Sequence, residues 1–177
     1  MVNKALKESL RALVRELRDE MLGRFKRHVS LQDLLTDRWE TAQVNGFGEG
    51  SSCYNNVLIL GDVEVGESTW IGPNVILDGS GGLSIGHHCD VSAGAQIYSH
   101  HTVQRVTSMG EAPVEYARTT IGNGVYIGPN AVIQMGVTIG DRAVIGAMSF
   151  VNRDVPAGAK VYGVPAREVY NKESEMQ

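Results

Sequence analysis

The sequence predicts a β-solenoid, a chain wound into stacked coils of short parallel strands. From residue 121 onward an aliphatic residue recurs at every sixth position, and a small or β-branched residue lies four places after each one. Glycine directly follows four of the aliphatic residues. A period of six fits neither an α-helix nor an alternating hairpin strand, and it is a signature of parallel β-helices. The aliphatic positions are Ile121, Ile127, Ile133, Ile139, Ile145 and Val151, and the small positions are Val125, Ala131, Val137, Ala143, Ser149 and Val155.

Each position of the six-residue repeat has a physical role in such a coil. Three strands make one turn of a triangular prism, so the chain returns above itself about 4.8 Å higher. We expect the aliphatic side chains to point into the prism and to stack on their equivalents in neighbouring coils. The small residues are expected to face inward near the corners, where Gly or Asn supplies the backbone conformation that a corner needs.

Residues 2 to about 27 are predicted to form an amphipathic helix, because apolar residues recur at three- and four-residue spacing. This segment holds eight Lys/Arg and four Asp/Glu, while the rest of the chain carries a net charge of about −8. One reading is a basic surface for an anionic substrate or a membrane. We favour a solvated helix that caps the solenoid or packs on a neighbouring subunit, because glutamates interrupt the basic face. The apolar positions are Leu6, Leu10, Leu13, Leu17 and Met21, with Val14 and Leu22 beside them.

A second short helix is predicted from Leu31 to about Glu40, with Ser30 as its N-cap. It completes an N-terminal helical segment, residues 1–44. The Gly-rich stretch 45–52 lacks the Lys-Ser/Thr ending and the preceding strand of a phosphate-binding loop. We therefore interpret it as the lead-in to the first coil.

The β-helix domain is predicted to span residues 45–170, with a C-terminal tail at 171–177. Its six-residue repeats, or hexads, begin near Cys53 or Ile59. The segment DGSGGL, residues 78–83, adds two residues before Ile85 restores the phase.

The hexads stop after Val103 and resume at Ile121. A degenerate coil across this gap would bury an unpaired Glu115, which is costly. We therefore predict one long excursion loop, residues 104–120, that leaves a corner of the prism and returns to it. Long excursions from a rigid scaffold commonly carry function.

The candidate catalytic residues lie just before the excursion, in IYSHHT, residues 97–102. In the hexad register Ile97 faces the core, so His101 takes the small interior position and His100 projects outward. An outward histidine on a rigid strand, beside a loop that can exclude water, suits a general base near neutral pH. His101 is then a corner residue or a hydrogen-bond partner that orients its neighbour. Spacing alone leaves both histidines as candidates.

Composition narrows the function classes. The net charge of −4 does not suggest a nucleic-acid partner. No signal-like h-region and no run of membrane-spanning length is present, so we expect a cytoplasmic protein without stable membrane insertion. Cys53 and Cys89, the two cysteines, are assigned to small interior positions and are expected to be buried free thiols.

The sequence resembles the hexapeptide-repeat acyltransferases over residues 59–169. The likeness is carried by the hexads, the His before an excursion, TIGNGVYIGPNAVIQMGVTIG (residues 120–140) and FVNRDVPAGAKVYGVPARE (residues 150–168). It is strongest to the maltose, galactoside and polysaccharide O-acetyltransferase branch. The resemblance implies a left-handed parallel β-helix, acetyl-CoA as co-substrate, and a homotrimer of parallel prisms with each site between two subunits.

The resemblance also assigns site residues. His100 matches the catalytic histidine, although the HH pair leaves His101 within one place of the match. Tyr126 stands where relatives often carry Trp beside the acetyl site. Further implied acetyl-CoA contacts are Gly146 and Ala147 along the pantetheine arm, and Arg153 and Arg167 near the nucleotide phosphates.

One departure from the family pattern concerns the oxyanion. Pro129 stands where some relatives use a backbone N–H, and proline has none. The amide of Gly128 is the expected substitute.

The expected mechanism is direct acetyl transfer without an acyl-enzyme. His100 accepts the proton of a substrate hydroxyl as that oxygen attacks the thioester, and later passes the proton to the CoA thiolate. Asp78, on the inserted turn, is either a contact to a sugar hydroxyl or a simple turn residue.

Three function classes follow. The first is O-acetylation of a sugar or polysaccharide unit, and the second is N-acetylation of an amino sugar, free or nucleotide-linked. The third is a zinc enzyme of the carbonic-anhydrase kind, which needs three convergent histidines. His87 and His88 lie twelve residues or so before His100, short of the turn needed to stack, so no metal site is predicted.

Overall fold

The computed structural model describes residues 3–169. Three helices precede the strands: α1 (Lys4–Phe25), α2 (Leu31–Leu35) and α3 (Arg38–Val44). The sequence predicted one helix from Leu31 to Glu40, and this is wrong. Thr36 is extended, and the Asp37 side chain accepts the N–H groups of Trp39 and Glu40, so a new helix begins there. Residue 2, at the start of the predicted first helix, lies outside the described residues.

The helix that caps the prism is α3 and not α1. Helix α1 packs mainly against α2, and none of its residues is buried. Helix α3 packs on the first strand, where the side chains of Ala42 and Phe47 are buried against the core. Of the two placements expected for the N-terminal helix, capping of the solenoid is therefore wrong, and packing on a neighbouring subunit stays a prediction.

The rest of the chain is built from short strands and one further helix, α4 (Val103–Thr107). The strands are β1 (Ser52–Cys53), β2 (Leu58–Val65), β3 (Trp70–Ile71), β4 (Ile76–Ile85), β5 (Asp90–Val91), β6 (Gln96–Ile97), β7 (His100–His101), β8 (Glu115–Tyr116), β9 (Thr119–Ile121), β10 (Tyr126–Ile127), β11 (Val132–Ile133), β12 (Thr138–Ile139), β13 (Val144–Ile145), β14 (Phe150–Val151), β15 (Lys160–Tyr162) and β16 (Arg167–Glu168).

The predicted β-solenoid is confirmed. Strands pair in parallel with the strand one coil away, and they form three faces of a prism with about six coils. The inward residues make one column per face, and nearly all of them are buried. The columns are Cys53, Ile71, Val91, Ile127, Ile145 and Val161 on the first face; Ile59, Leu77, Ile97, Ile133 and Val151 on the second; and Val65, Ile85, Ile121, Ile139 and Val155 on the third.

The predicted two-residue insertion is also confirmed. Strands β2 and β4 pair Ile59 with Leu77 but Val65 with Ile85, and the register shifts just after Gly61. A Cβ on Gly61, whose φ is +66°, would lie 2.6 Å from the backbone of Gly79. Glycine is needed here because the two chains approach too closely for a side chain.

The cysteines are buried free thiols, as expected, but one position was misassigned. Cys53 pairs with Ile71 and so belongs to the aliphatic column of the first face, whereas Cys89 does lie near a corner. Burial raises the pKa of Cys53 from 9.0 to about 11 and also raises that of Cys89.

The excursion leaves the prism earlier than predicted. Strands β7 and β8 pair as an antiparallel hairpin outside the prism, with α4 between them, so the excursion spans about 100–118 and not 104–120. Val103, counted among the hexads, lies in α4 and is 56% exposed. The prediction that His101 faces the core is wrong, because Thr119 fills this corner and is fully buried.

The C-terminal end is covered by β16, which pairs antiparallel with β15. The predicted tail, 171–177, lies outside the described residues. Between residues 3 and 169, no helix is long and apolar enough to span a bilayer.

Candidate active site

His100 lies on the wall of an open cleft where the excursion leaves the second face. The side chain is 28% exposed and does project outward, as the hexad register predicted. The cleft combines outward residues of the second face with the start of the excursion. Its lining residues are Tyr98, His100, His101, Thr102, Val103, Val132, Gln134, Met135 and Phe150.

The imidazole of His100 is held by Asp78. Oδ2 of Asp78 lies 2.5 Å from Nδ1 of His100 and accepts the N–H groups of Ser99 and His100. Oδ1 accepts the N–H of Ser80 at 3.0 Å. Among residues 3–169 the other ring nitrogen, Nε2, has no hydrogen-bond partner. Asp78 therefore fixes the ring through one nitrogen and leaves the other for chemistry.

The expectation that Asp78 contacts a sugar hydroxyl is corrected. Its side chain is fully buried, so a sugar hydroxyl cannot reach the carboxylate. Asp78 lies within β4, just before the register shift, and its carboxylate lies beneath the start of β7, where it accepts the N–H groups of Ser99 and His100.

Asp78 is ionised across the physiological range. Burial alone would raise its pKa, but hydrogen bonds from Ser80, from the backbone of Ser99 and from His100 lower the pKa to about 2. A neutral His100 facing this carboxylate keeps its proton on Nδ1, so Nε2 presents a lone pair to the cleft. That is the tautomer that a general base requires.

The excursion hairpin holds both histidine rings. Glu115 Oε2 lies 3.0 Å from Nε2 of His101, and the ring of Tyr116 stacks on His100 with centroids 6.0 Å apart. Nδ1 of His101 is buried without a hydrogen-bond partner. His101 thus has its accessible nitrogen engaged, whereas His100 has its accessible nitrogen free.

Sequence reasoning missed the roles of Asp78, Glu115 and Tyr116. The insertion makes one coil twenty residues long, and Leu77 pairs with Ile97. Because Asp78 follows Leu77 and His100 lies three residues after Ile97, this pairing places Asp78 beside the chain just before His100. Glu115 and Tyr116 carry no comparable signal, because the hairpin register lies outside the repeat.

The residues assigned to acetyl-CoA by resemblance lie elsewhere on the molecule. Tyr126 points outward from the first face and is 40% exposed. Gly146 is buried beneath the ring of Tyr162, and its N–H donates to Val161. Ala147 is exposed, and its N–H has no acceptor within residues 3–169.

The expectation that the Gly128 amide serves the oxyanion is corrected. Its N–H donates to the carbonyl of Ile145 at 2.9 Å, as part of the ladder of the first face. It is therefore not available to a developing negative charge in this arrangement.

Arg153 and Arg167 are brought together at the C-terminal end of the prism. Both line one pocket with Asp154, Pro156 and Glu168. Arg167 donates to the carbonyl of Ala166 at 2.8 Å, which restrains its side chain. Two guanidinium groups around one pocket can hold an anionic group.

The described part of the chain contains no group of three or more His, Cys, Asp or Glu placed to hold a metal ion. Apart from the arginine pair at the C-terminal end, the candidate residues fall into two sets on different faces of one chain. His100 lies where the second face ends, while Tyr126, Gly128, Gly146 and Ala147 lie on or beside the first face.

Comparisons with known proteins agree with this architecture. The family described as Bacterial transferase hexapeptide (six repeats) matches residues 118–153. The galactoside O-acetyltransferase of Escherichia coli K12 is 37% identical over 116 residues, which cover 64% of this chain and 47% of that protein. The putative acetyltransferase YvoF of Bacillus subtilis is 33% identical over 121 residues, 68% of this chain and 58% of that protein. The chain thus spans about half the length of these curated relatives.

One solved structure matches almost end to end. The hexapeptide-repeat-containing acetyltransferase VCA0836 of Vibrio cholerae, complexed with acetyl coenzyme A, is 28% identical, and the two structures superpose with a TM-score of 0.68. The alignment covers 95% of this chain and 90% of that one.

Proposed function

We propose that this chain, which belongs to the hexapeptide-repeat acyltransferase family, transfers the acetyl group of acetyl-CoA to a hydroxyl of a sugar or polysaccharide unit. The observation that carries the proposal is the anchoring of His100 by the buried carboxylate of Asp78 beside an open cleft. The galactoside O-acetyltransferase relative supports the sugar hydroxyl.

In the proposed mechanism, Nε2 of His100 accepts the proton of the acceptor hydroxyl as that oxygen attacks the thioester carbonyl. The tetrahedral intermediate then collapses, the C–S bond breaks, and the imidazolium returns the proton to the CoA thiolate. Asp78 holds the ring in place and stabilises the imidazolium between these steps. General-base assistance of this kind contributes about 10²- to 10⁴-fold in rate.

The separation of the two residue sets supports a site shared between subunits. His100 and Tyr126 lie on different faces, so one chain alone offers a one-walled site open to water. In a homotrimer of parallel prisms, the first face of one copy would close the cleft of the next. We propose that Ala147 then contacts the pantetheine arm through its free N–H, and that Arg153 and Arg167 bind the nucleotide phosphates.

N-acetylation of an amino sugar is the second candidate. The dTDP-3-amino-3,6-dideoxy-alpha-D-galactopyranose 3-N-acetyltransferase of Aneurinibacillus thermoaerophilus is 47% identical over 55 residues, 31% of this chain and 29% of that protein. An amine is a better nucleophile than a hydroxyl and depends less on a base.

A thiol-release assay with acetyl-CoA tests the proposal. Methyl β-D-galactoside, maltose and D-glucosamine serve as acceptors for the wild type, His100→Ala and the control His28→Ala, which changes an exposed histidine outside the cleft. We expect acceptor-dependent thiol release that His28→Ala retains and His100→Ala loses. Absence of acceptor-dependent release across hydroxyl and amine acceptors would contradict acetyl transfer to sugars, and full activity of His100→Ala would contradict the assigned base.

A further inference from the structure

The outward side of the first face carries an unusual row of side chains. Trp70 pairs directly with Asp90, and Asp90 pairs with Tyr126, so the three side chains stand side by side on consecutive coils. Neighbouring strands are about 4.8 Å apart, which separates the two aromatic residues by about 10 Å. A carboxylate therefore lies between two aromatic rings on a rigid surface.

Trp70 has a fixed orientation. A Cβ on Gly72 would lie 3.1 Å from the far edge of the indole, so the ring leans along the face over a residue that lacks a side chain. Tyr54 meets the indole edge-on, with centroids 6.2 Å apart and planes at 86°. Arg38 in turn lies over Tyr54, 4.9 Å from its centroid. Trp70 is nevertheless partly exposed, so part of the indole remains open to a ligand.

Asp90 is a partly buried carboxylate with few partners to replace the water it has lost. Its side chain accepts one hydrogen bond, from the hydroxyl of Ser92 at 2.9 Å. No Lys, Arg or His within residues 3–169 forms an ion pair with it. Burial raises its pKa, which reflects the cost of keeping this carboxylate charged without a cation nearby. A ligand that supplies a cation would offset that cost.

We propose that Trp70, Asp90 and Tyr126 form an acceptor subsite for an amino sugar. The less polar face of the sugar ring lies against the indole, and the protonated amine pairs with Asp90. Aromatic side chains offer this apolar contact at low conformational cost, and the carboxylate distinguishes an amine from a hydroxyl through a charge-assisted hydrogen bond. The inference rests on the proposed function only in taking the acceptor to be a sugar. The binding of the amino sugar itself needs no acetyl transfer.

Binding can be measured without acetyl-CoA. The chain has two tryptophans, so Trp39→Phe leaves Trp70 as the sole indole reporter. D-glucosamine, D-galactosamine and D-glucose are titrated against this variant, against the same variant carrying Asp90→Asn, and against one carrying Asp62→Asn. Asp62 is an exposed aspartate away from the row, so its substitution makes the same charge change elsewhere.

We expect at least one amino sugar to quench or shift the Trp70 emission and to bind about 10- to 100-fold more tightly than glucose. Asp90→Asn should remove that preference with an unchanged melting temperature, and Asp62→Asn should retain it. The subsite is overturned if no amino sugar perturbs Trp70, if glucose binds equally well, or if Asp90→Asn binds like the wild type. Binding without thiol release would leave the subsite standing and contradict only the proposed reaction.

Discussion

Oδ2 of Asp78 lies 2.5 Å from Nδ1 of His100, although twenty-two residues separate them in the chain. The contact joins strand β4 of one coil to the first residue of the excursion in the next. It buries one partner completely and leaves the other at the wall of a cleft. This arrangement distinguishes His100 from His101, which the repeat alone could not do.

The two histidines should differ in their effect on turnover. His100→Ala removes the proposed base, so kcat is expected to fall about 10²- to 10⁴-fold with little change in acetyl-CoA binding. His101→Ala should cause a smaller loss, because His101 pairs with Glu115 outside the prism core. Both variants are measured by thiol release and by thermal melting. An inactive His101→Ala beside a nearly normal His100→Ala would move the base to His101.

Asp78 should stabilise the fold in a pH-dependent way. Its pKa is lowered from 3.8 to about 2, so its contribution is present above about pH 4 and is lost as the pH falls through 2. Asp78→Asn should therefore melt below the wild type at pH 5, and the difference should shrink between pH 4 and pH 2. Asp62→Asn controls for the change in net charge. A difference that stays constant over this range would contradict an ionised, hydrogen-bonded Asp78.

The two thiols should be unreactive in the native protein. Cys53 and Cys89 are buried, and burial raises both pKa values, so little thiolate is present or accessible at pH 8. A thiol reagent such as DTNB is expected to react slowly with the native chain and to titrate two thiols after denaturation in guanidinium. Rapid reaction of the native protein would show that one of the assigned positions is open.

The shared site predicts a homotrimer. One chain has a mass of 19.1 kDa, so light scattering coupled to gel filtration should give about 57 kDa. The physical reason is that His100 and Tyr126 lie on different faces and need a second copy to meet. An active species of one-chain mass would contradict the shared site.

The sequence by itself determined the solenoid, its three columns and the two-residue insertion. This was possible because stacking is periodic: each coil repeats the same inward and corner positions, so a local pattern specifies contacts between distant residues. Cys53 is the position where this reading failed: it pairs with Ile71 in the aliphatic column of the first face and does not occupy a small corner position.

Only the tertiary structure decided what happens where the repeat is interrupted. The chain leaves the prism at His100 and not after Val103, because the excursion forms its own hairpin and Thr119 fills the vacated corner. The role of Asp78 depends on that departure, since the carboxylate is buried and hydrogen-bonded only when the chain folds over it. A contact between two non-repeating segments has no period, so it emerges only when the backbone of both is in place.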